Sequence, residues 1–258
     1  MTYLERIAVV GRGGTGKTSF TVLLAAHFLE KGETPLLLVD LDPDMNLAEM
    51  IGVDLEAAGK STVSELLLDT MERESDGTER PQPFPLEKLE ARIWGEGLFE
   101  GKGFDLITLG VKWGEGCYCT PNKALMMVLT GMIRSYRHVI IDSPGGLEQL
   151  NRRVTPAVDD IFDIIDPSQK AFDHVRRSRR LLGDLNLLCK RFFVVGNYRF
   201  PEDWEAEVEA KTGERYLGKL ASDDDLARAV LRGESLLNLS SVSTARRSAE
   251  AIFRKAGY

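Results

Sequence analysis

Short apolar runs of strand length alternate with helical stretches along the whole chain, and this alternation limits the fold more than any other feature. The strand-like runs are RIAVV (Arg6 to Val10), PLLLVD (Pro35 to Asp40), FDLITLG (Phe104 to Gly110), HVIIDS (His138 to Ser143), DIFDIID (Asp160 to Asp166), RFFVVGN (Arg191 to Asn197) and YLGKLAS (Tyr216 to Ser222). Between them lie patterns such as KTSFTVLLAAHFLEKG, with apolar residues at helical spacing and Gly32 as a stop signal. Strands that alternate with helices predict an α/β fold: a doubly wound, mostly parallel sheet with helices on both faces. In such sheets ligands gather at the carboxyl ends of the strands.

With 258 residues, a single domain spanning residues 1–258 is expected. The segment Thr70 to Gly103, rich in Pro, Gly and charge, interrupts the rhythm and reads as an insertion or long loop suited to facing a partner. An apolar share of 43% and a charged share of 28% fit a globular protein, and no apolar run approaches the roughly 18 residues of a membrane-spanning helix. The first apolar run breaks at once into glycines, unlike a signal peptide, so a cytoplasmic protein with free thiols is expected. A net charge of -7 offers no general attraction to nucleic acid or anionic lipid, and neither is expected as a partner. Arg176, Arg177, Arg179 and Arg180 read as the solvated face of a helix. The closing stretch SVSTARRSAEAIFRKAGY reads as a last core helix, its apolar side of Ala245, Ala249, Ile252 and Phe253 being small for a membrane surface.

The run GRGGTGKTS fits the pattern G-x-x-x-x-G-K-[ST], with Gly11, Gly16, Lys17 and Thr18 in the required places. It follows a predicted strand and opens a predicted helix. The loop from Gly11 through Arg12, Gly13, Gly14, Thr15 and Gly16 to Ser19 therefore turns backbone N–H groups and a helix dipole towards a phosphate. Lys17 is expected to neutralise the β and γ phosphates, and the Thr18 hydroxyl to ligate Mg²⁺. Two acidic strand ends supply what this loop lacks. Asp142 closes HVII, as a carboxylate serving Mg²⁺ would, and VDLDPD ends the second strand with Asp40 and Asp42. That spacing places one carboxylate, Asp40, near the metal and lets the other, Asp42, orient a water towards the γ-phosphate, while Asp44 belongs to the turn. The ligand so predicted is ATP or ADP with Mg²⁺, and the reaction is ATP hydrolysis. The plain alternative for an Asp after a strand is a turn or helix cap.

These residues together resemble the deviant Walker A ATPases, the family of MinD, ParA and nitrogenase iron protein, over nearly the whole chain. That family carries K-G-G-x-G-K-[ST], a second strand ending in D-x-D and a middle strand ending in Asp. The resemblance implies a dimer formed with ATP. The family's early lysine, which reaches across the dimer to the partner's nucleotide, is Arg12 here. A guanidinium is longer and planar, so the implied role becomes that of an arginine finger in trans. The resemblance also implies that Asn197, closing VVGN, contacts adenine; taken alone it is a turn residue.

Two of the three cysteines, Cys117 and Cys119, stand in GEGCYCTPN. The stretch GCYCTPNKALMMVLTGM is similar to the Cys-x-Cys segment of the CooC-type ATPases, which assist nickel insertion into carbon monoxide dehydrogenase. The stretches DLDPDMNL and DSPGGLEQL are similar to that subfamily as well. Residues i and i+2 of an extended segment point to one side, and two such pairs on a twofold axis supply four thiolates for Ni²⁺ or Zn²⁺. The partners implied are a second copy of the chain and a client nickel enzyme such as carbon monoxide dehydrogenase. Two small buried hydrophobes are the plain alternative for the pair. Cys189, within LLGDLNLLCKR, reads as a core residue on a helix. Two rival readings share the ATPase chemistry: a ParA- or MinD-like protein that positions cargo on DNA or membrane, and an iron-sulfur reductase like nitrogenase iron protein. The first leaves the paired cysteines unexplained, and the second lacks a cysteine shortly after Asp142.

Overall fold

The computed structural model describes residues 4–42, 44–74, 86–110, 119–145, 147 and 157–258, with the backbone alone described at 72–74 and 119–125. In chain order the elements are β1 (Glu5–Gly11), α1 (Lys17–Glu30), β2 (Leu36–Asp40), α2 (Asn46–Met50), α3 (Val63–Glu74) and α4 (Leu86–Arg92). A short π-helix, Ile93–Gly97, leads into β3 (Leu98–Glu100), β4 (Phe104–Thr108), α5 (Cys119–Ile133), β5 (His138–Asp142) and β6 (Ala157–Ile165). Then follow α6 (Gln169–Asp184), β7 (Leu188–Gly196), α7 (Glu205–Thr212), β8 (Arg215–Lys219), α8 (Asp224–Leu231) and α9 (Thr244–Ala256).

Eight strands form one sheet in the order β3-β4-β2-β5-β1-β6-β7-β8. All neighbours are parallel except β3 and β4, so the expected doubly wound architecture is present with one antiparallel edge. From β1 the chain first crosses to β2 on one side and later returns through β6 to the other. The carboxyl ends of β1 and β6 thus flank the point where winding reverses, the place where such sheets bind ligands.

One apolar layer lies on each sheet face. Alternate residues of β1 divide between them: Ile7 and Val9 pack towards α1 and α9, Ala8 and Val10 towards α3, α5 and α6. Phe20 on α1 joins the layers of its side, its ring 5.2 Å from Phe162 of β6 and 5.3 Å from Phe253 of α9. Burying each such ring stabilises the fold by about 1.5–3 kcal/mol and fixes the first turn of α1 against the sheet. The last helix packs as expected, with Ala245, Ala249, Ile252 and Phe253 buried. The four arginines of α6 are exposed.

Two expectations are corrected. In its described residues the segment Thr70 to Gly103 is helix and strand more than loop, with α3 running to Glu74 and α4, the π-helix and β3 following from Leu86 to Glu100. Residues 75–85, where much of its Pro and charge falls, lie outside the described residues. Leu89, Ile93 and Leu98 from this stretch are buried in the core. Cys189 is not helical but lies in β7, partly buried against the core, with its Sγ 3.2 Å from the Arg191 carbonyl oxygen. The helix stops before it because Asn186 takes a left-handed φ of 51°, which α6 cannot pass through. Among the described residues no helix is long and apolar enough to cross a membrane.

Candidate nucleotide site

The glycine-rich loop leaves β1 at the reversal point and enters α1 through a backbone that only glycine tolerates. Gly11 has a φ of +138°, and a Cβ there would lie 2.3 Å from the Ile164 carbonyl oxygen of β6. Gly16, at the N-cap of α1, has a left-handed φ of 97° and supplies no side chain to cap the helix. The first-turn N–H groups of α1 are therefore left without a side-chain partner at its N-terminus, where the helix dipole favours an anion. Inside the loop the Thr15 hydroxyl donates to the Arg12 carbonyl at 2.9 Å and the Lys17 ammonium donates to the same oxygen at 3.2 Å. Lys17 is only 7% exposed, a buried cation held at the mouth of an anion-shaped loop.

The acidic residues meet beside this loop. Asp40 and Asp142 end adjacent parallel strands in direct register. Asp40 is fully buried, and its two oxygens accept from the backbone N–H groups of Asp42 at 2.9 Å and Leu47 at 3.1 Å. Burial, and then the neighbouring Asp142, push its carboxyl up to about 8, although those two N–H groups favour the charged form. Burial pushes Asp142 up to about 6, opposed by Thr18 and Lys17. Neither Asp142 oxygen closes a hydrogen bond of normal geometry, so a buried carboxylate faces the loop with its accepting capacity unused.

That orphaned carboxylate next to Thr18 fits Mg²⁺, which takes one or two protein oxygens and completes its shell with water and phosphate. Asp40 fits less well as a direct ligand because both its oxygens already shape the turn towards α2. Among the described residues no group of three or more His, Cys, Asp or Glu is arranged to hold a metal ion by itself. Asp42 is half-buried next to this pair, and its carboxylate accepts from the Asp44 N–H at 3.1 Å. Cys117 lies outside the described residues, and Cys119 opens α5 with only its backbone described.

Arg12 turns back on its own chain, its guanidinium 3.7 Å from the carboxylate of Asp166 at the end of β6. Neither Asp166 nor Asp163 figured among the site residues expected from the sequence. Asp163 is 0% exposed on the sheet face opposite Asp142, without a hydrogen bond to either oxygen, and has His174 Nε2 at 3.8 Å. Burial pushes it up to about 7, with Lys17 pulling the other way. A charge inside the buried run DIFDIID was the available signal.

A cleft of about 350 Å³ continues from Gly14, Thr15 and Gly16 to Asn197 at the end of β7 and to Leu226 and Ala227 on α8. Asn197 is buried, and its Oδ1 accepts from the Arg199 N–H at 3.0 Å. The loop at one end and a partly apolar chamber at the other match the polyphosphate and base of a nucleotide.

Fold and site together define a P-loop nucleotide-binding protein. More closely, the sequence matches the CobQ/CobB/MinD/ParA nucleotide binding domain family over residues 7–237, and the chain belongs to that family. It is 35% identical over 251 residues to an uncharacterized ATP-binding protein of Methanocaldococcus jannaschii, covering 96% of this chain and 97% of that protein. It is 29% identical over 242 residues to the carbon monoxide dehydrogenase accessory protein CooC of Rhodospirillum rubrum, covering 91% and 90%. Among solved structures it is similar to the cell division ATPase MinD of Pyrococcus furiosus, with a TM-score of 0.71, 18% identity and 98% of each chain covered. The septum site-determining protein MinD of Pyrococcus horikoshii, solved with Mg-ADP, gives a TM-score of 0.69 at 19% identity over 98% of this chain and 96% of that one. At such identities the likeness is one of fold.

Proposed function

We propose that this chain is a MgATP-dependent dimeric ATPase whose Cys117 and Cys119 bind Ni²⁺ or Zn²⁺ and which acts in maturation of a nickel enzyme, carbon monoxide dehydrogenase or a relative. The observation that carries this reading is the likeness to the carbon monoxide dehydrogenase accessory protein over nine-tenths of both chains, in a sequence that also holds a Cys-x-Cys pair. In this scheme the loop amides and Lys17 bind the phosphates, Thr18 and Asp142 hold Mg²⁺, and Asp42 orients the attacking water. Held by those residues, Mg²⁺ would supply neutralisation of the phosphate charge. Arg12 exchanges Asp166 for the partner subunit's nucleotide when two copies meet.

Nickel is cargo here, so a pair of thiolates from each subunit suits it better than a closed four-ligand site within one chain. Such a site opens and tightens with the dimer. The decisive measurement is metal stoichiometry and oligomeric state of the purified chain without nucleotide, with ADP and with a nonhydrolysable ATP. One Ni²⁺ or Zn²⁺ per two chains, dependent on nucleotide, is expected; chains that bind neither metal in any state overturn the metal role. Cys117→Ser is expected to lose tight nickel with folding intact, and a variant that still holds it excludes the pair as ligands. Hydrolysis unchanged in Arg12→Ala would remove Arg12 from the mechanism.

A further inference from the structure

The far end of the cleft presents an aromatic ring with no role assigned so far. Tyr198 follows Asn197, lines the same cleft and is 51% exposed, so its ring is open to a ligand there. We infer that Tyr198 is the stacking surface for the nucleobase and sets the affinity of the base end of this site. The inference rests on nucleotide occupying the cleft as proposed above.

Three features support it. The ring is held in place: Arg199 Nε donates to the Tyr198 hydroxyl at 3.2 Å, and the Arg199 guanidinium carbon lies 5.5 Å from the ring centroid. The Arg199 N–H also donates to Asn197 Oδ1, so one short turn fixes the ring relative to the amide. Because the carbonyl oxygen of Asn197 is the acceptor in that bond, its NH₂ group remains as a donor for a base nitrogen. A platform locked before the ligand arrives loses little side-chain freedom on binding.

Secondly, Asp223, the carboxylate among the lining residues, is fully committed elsewhere. It accepts from the N–H groups of Leu226 at 2.9 Å and Ala245 at 3.0 Å and from the Thr244 hydroxyl at 2.9 Å. A carboxylate so engaged is a poor partner for the N–H edge of a guanine. Thirdly, Leu226 and Ala227 line the cleft without polar side-chain atoms. With the carboxylate spent and one wall apolar, flat contact with the ring joins the Asn197 NH₂ group as what the cleft offers a base.

The test compares MgADP with inorganic tripolyphosphate, which fills the loop but has no base, by calorimetric titration of the full chain. Tyr198→Ala is expected to weaken MgADP by about tenfold or more and to leave tripolyphosphate unchanged, while Tyr198→Phe stays within about twofold of wild type. Tyr198→Trp should show fluorescence quenching with MgADP and none with tripolyphosphate. Wild-type affinity for MgADP in Tyr198→Ala, or an equal loss of both ligands, overturns the stacking role. A wild-type chain that binds neither ligand overturns the nucleotide reading itself, and the inference with it.

Discussion

Asp40 and Asp142 stand in register on neighbouring parallel strands, yet both oxygens of Asp40 accept backbone hydrogen bonds while neither oxygen of Asp142 closes one of normal geometry. One carboxylate shapes a turn, and the other keeps its lone pairs for something that arrives. The two asparagine variants should therefore part company. Asp142→Asn removes a buried, unsatisfied charge, so stability in urea should hold or rise while the Mg²⁺ enhancement of nucleotide binding disappears. Asp40→Asn puts an NH₂ against a backbone N–H and should lower stability by about 1–3 kcal/mol. Unaltered Mg²⁺ dependence in Asp142→Asn would take that residue out of the ion's shell.

Lys17 and Asp42 separate binding from turnover. Lys17→Ala should abolish measurable ATP binding, since the cation in the loop mouth is gone. Asp42→Ala should bind ATP with near-normal affinity and hydrolyse it slowly, a fall in kcat without a matching rise in KM. Equal hydrolysis by Asp42→Ala and wild type would end the role of Asp42 in placing water.

The glycines of the loop are not equivalent. A Cβ at Gly11 meets the Ile164 carbonyl at 2.3 Å, whereas at Gly13 nothing lies within 4 Å. Gly11→Ala should cost about 3 kcal/mol or more, because β1 and β6 must separate at a backbone angle that suits glycine. Gly13→Ala should change unfolding free energy by less than about 0.5 kcal/mol. A small effect at Gly11 would show that the two strands yield there.

Asp163 should make stability fall as pH rises. Its carboxyl moves from 3.8 to about 7 on folding because burial disfavours the charge, so the folded chain holds a proton that the unfolded chain releases. The stability this confers is complete below about pH 4 and is lost progressively up to about pH 7. Asp163→Asn keeps the shape without the ionisation. Its advantage over wild type should be small at pH 5 and grow towards pH 8, reaching at most about 4 kcal/mol. A gap that does not widen over that interval would mean that Asp163 is paired in the fold.

Much of the scaffold was legible because it rests on local signals. The seven runs read as strands all lie on observed strands, and the glycine pattern marked the turn into α1. What escaped depended on tertiary context. The three residues of β3 are too few to show a period, and their pairing is with β4, a neighbour already assigned. LLGDLNLLCKR carries leucines at helical spacing on both sides of Asn186, and only the left-handed backbone at that residue divides helix from strand. Lys17, Asp40, Asp42 and Asp142, which the fold brings together beside the loop, were legible as candidates from motif and strand ends. Asp163, Asp166 and Tyr198 were not, because burial, an ion pair and a place along a cleft have no spacing of their own. The assignment of Asp40 to Mg²⁺ is weakened by the same cause, since its two backbone partners come from a turn.

Asp223 receives hydrogen bonds from the starts of two helices, α8 and α9, and borders the cleft as well. The carboxyl-terminal helix is thus riveted to the chamber wall by one side chain. A shift of the helix start at Thr244 and Ala245 would carry the chamber wall with it, so the seating of this helix and the shape offered to a base rise and fall together.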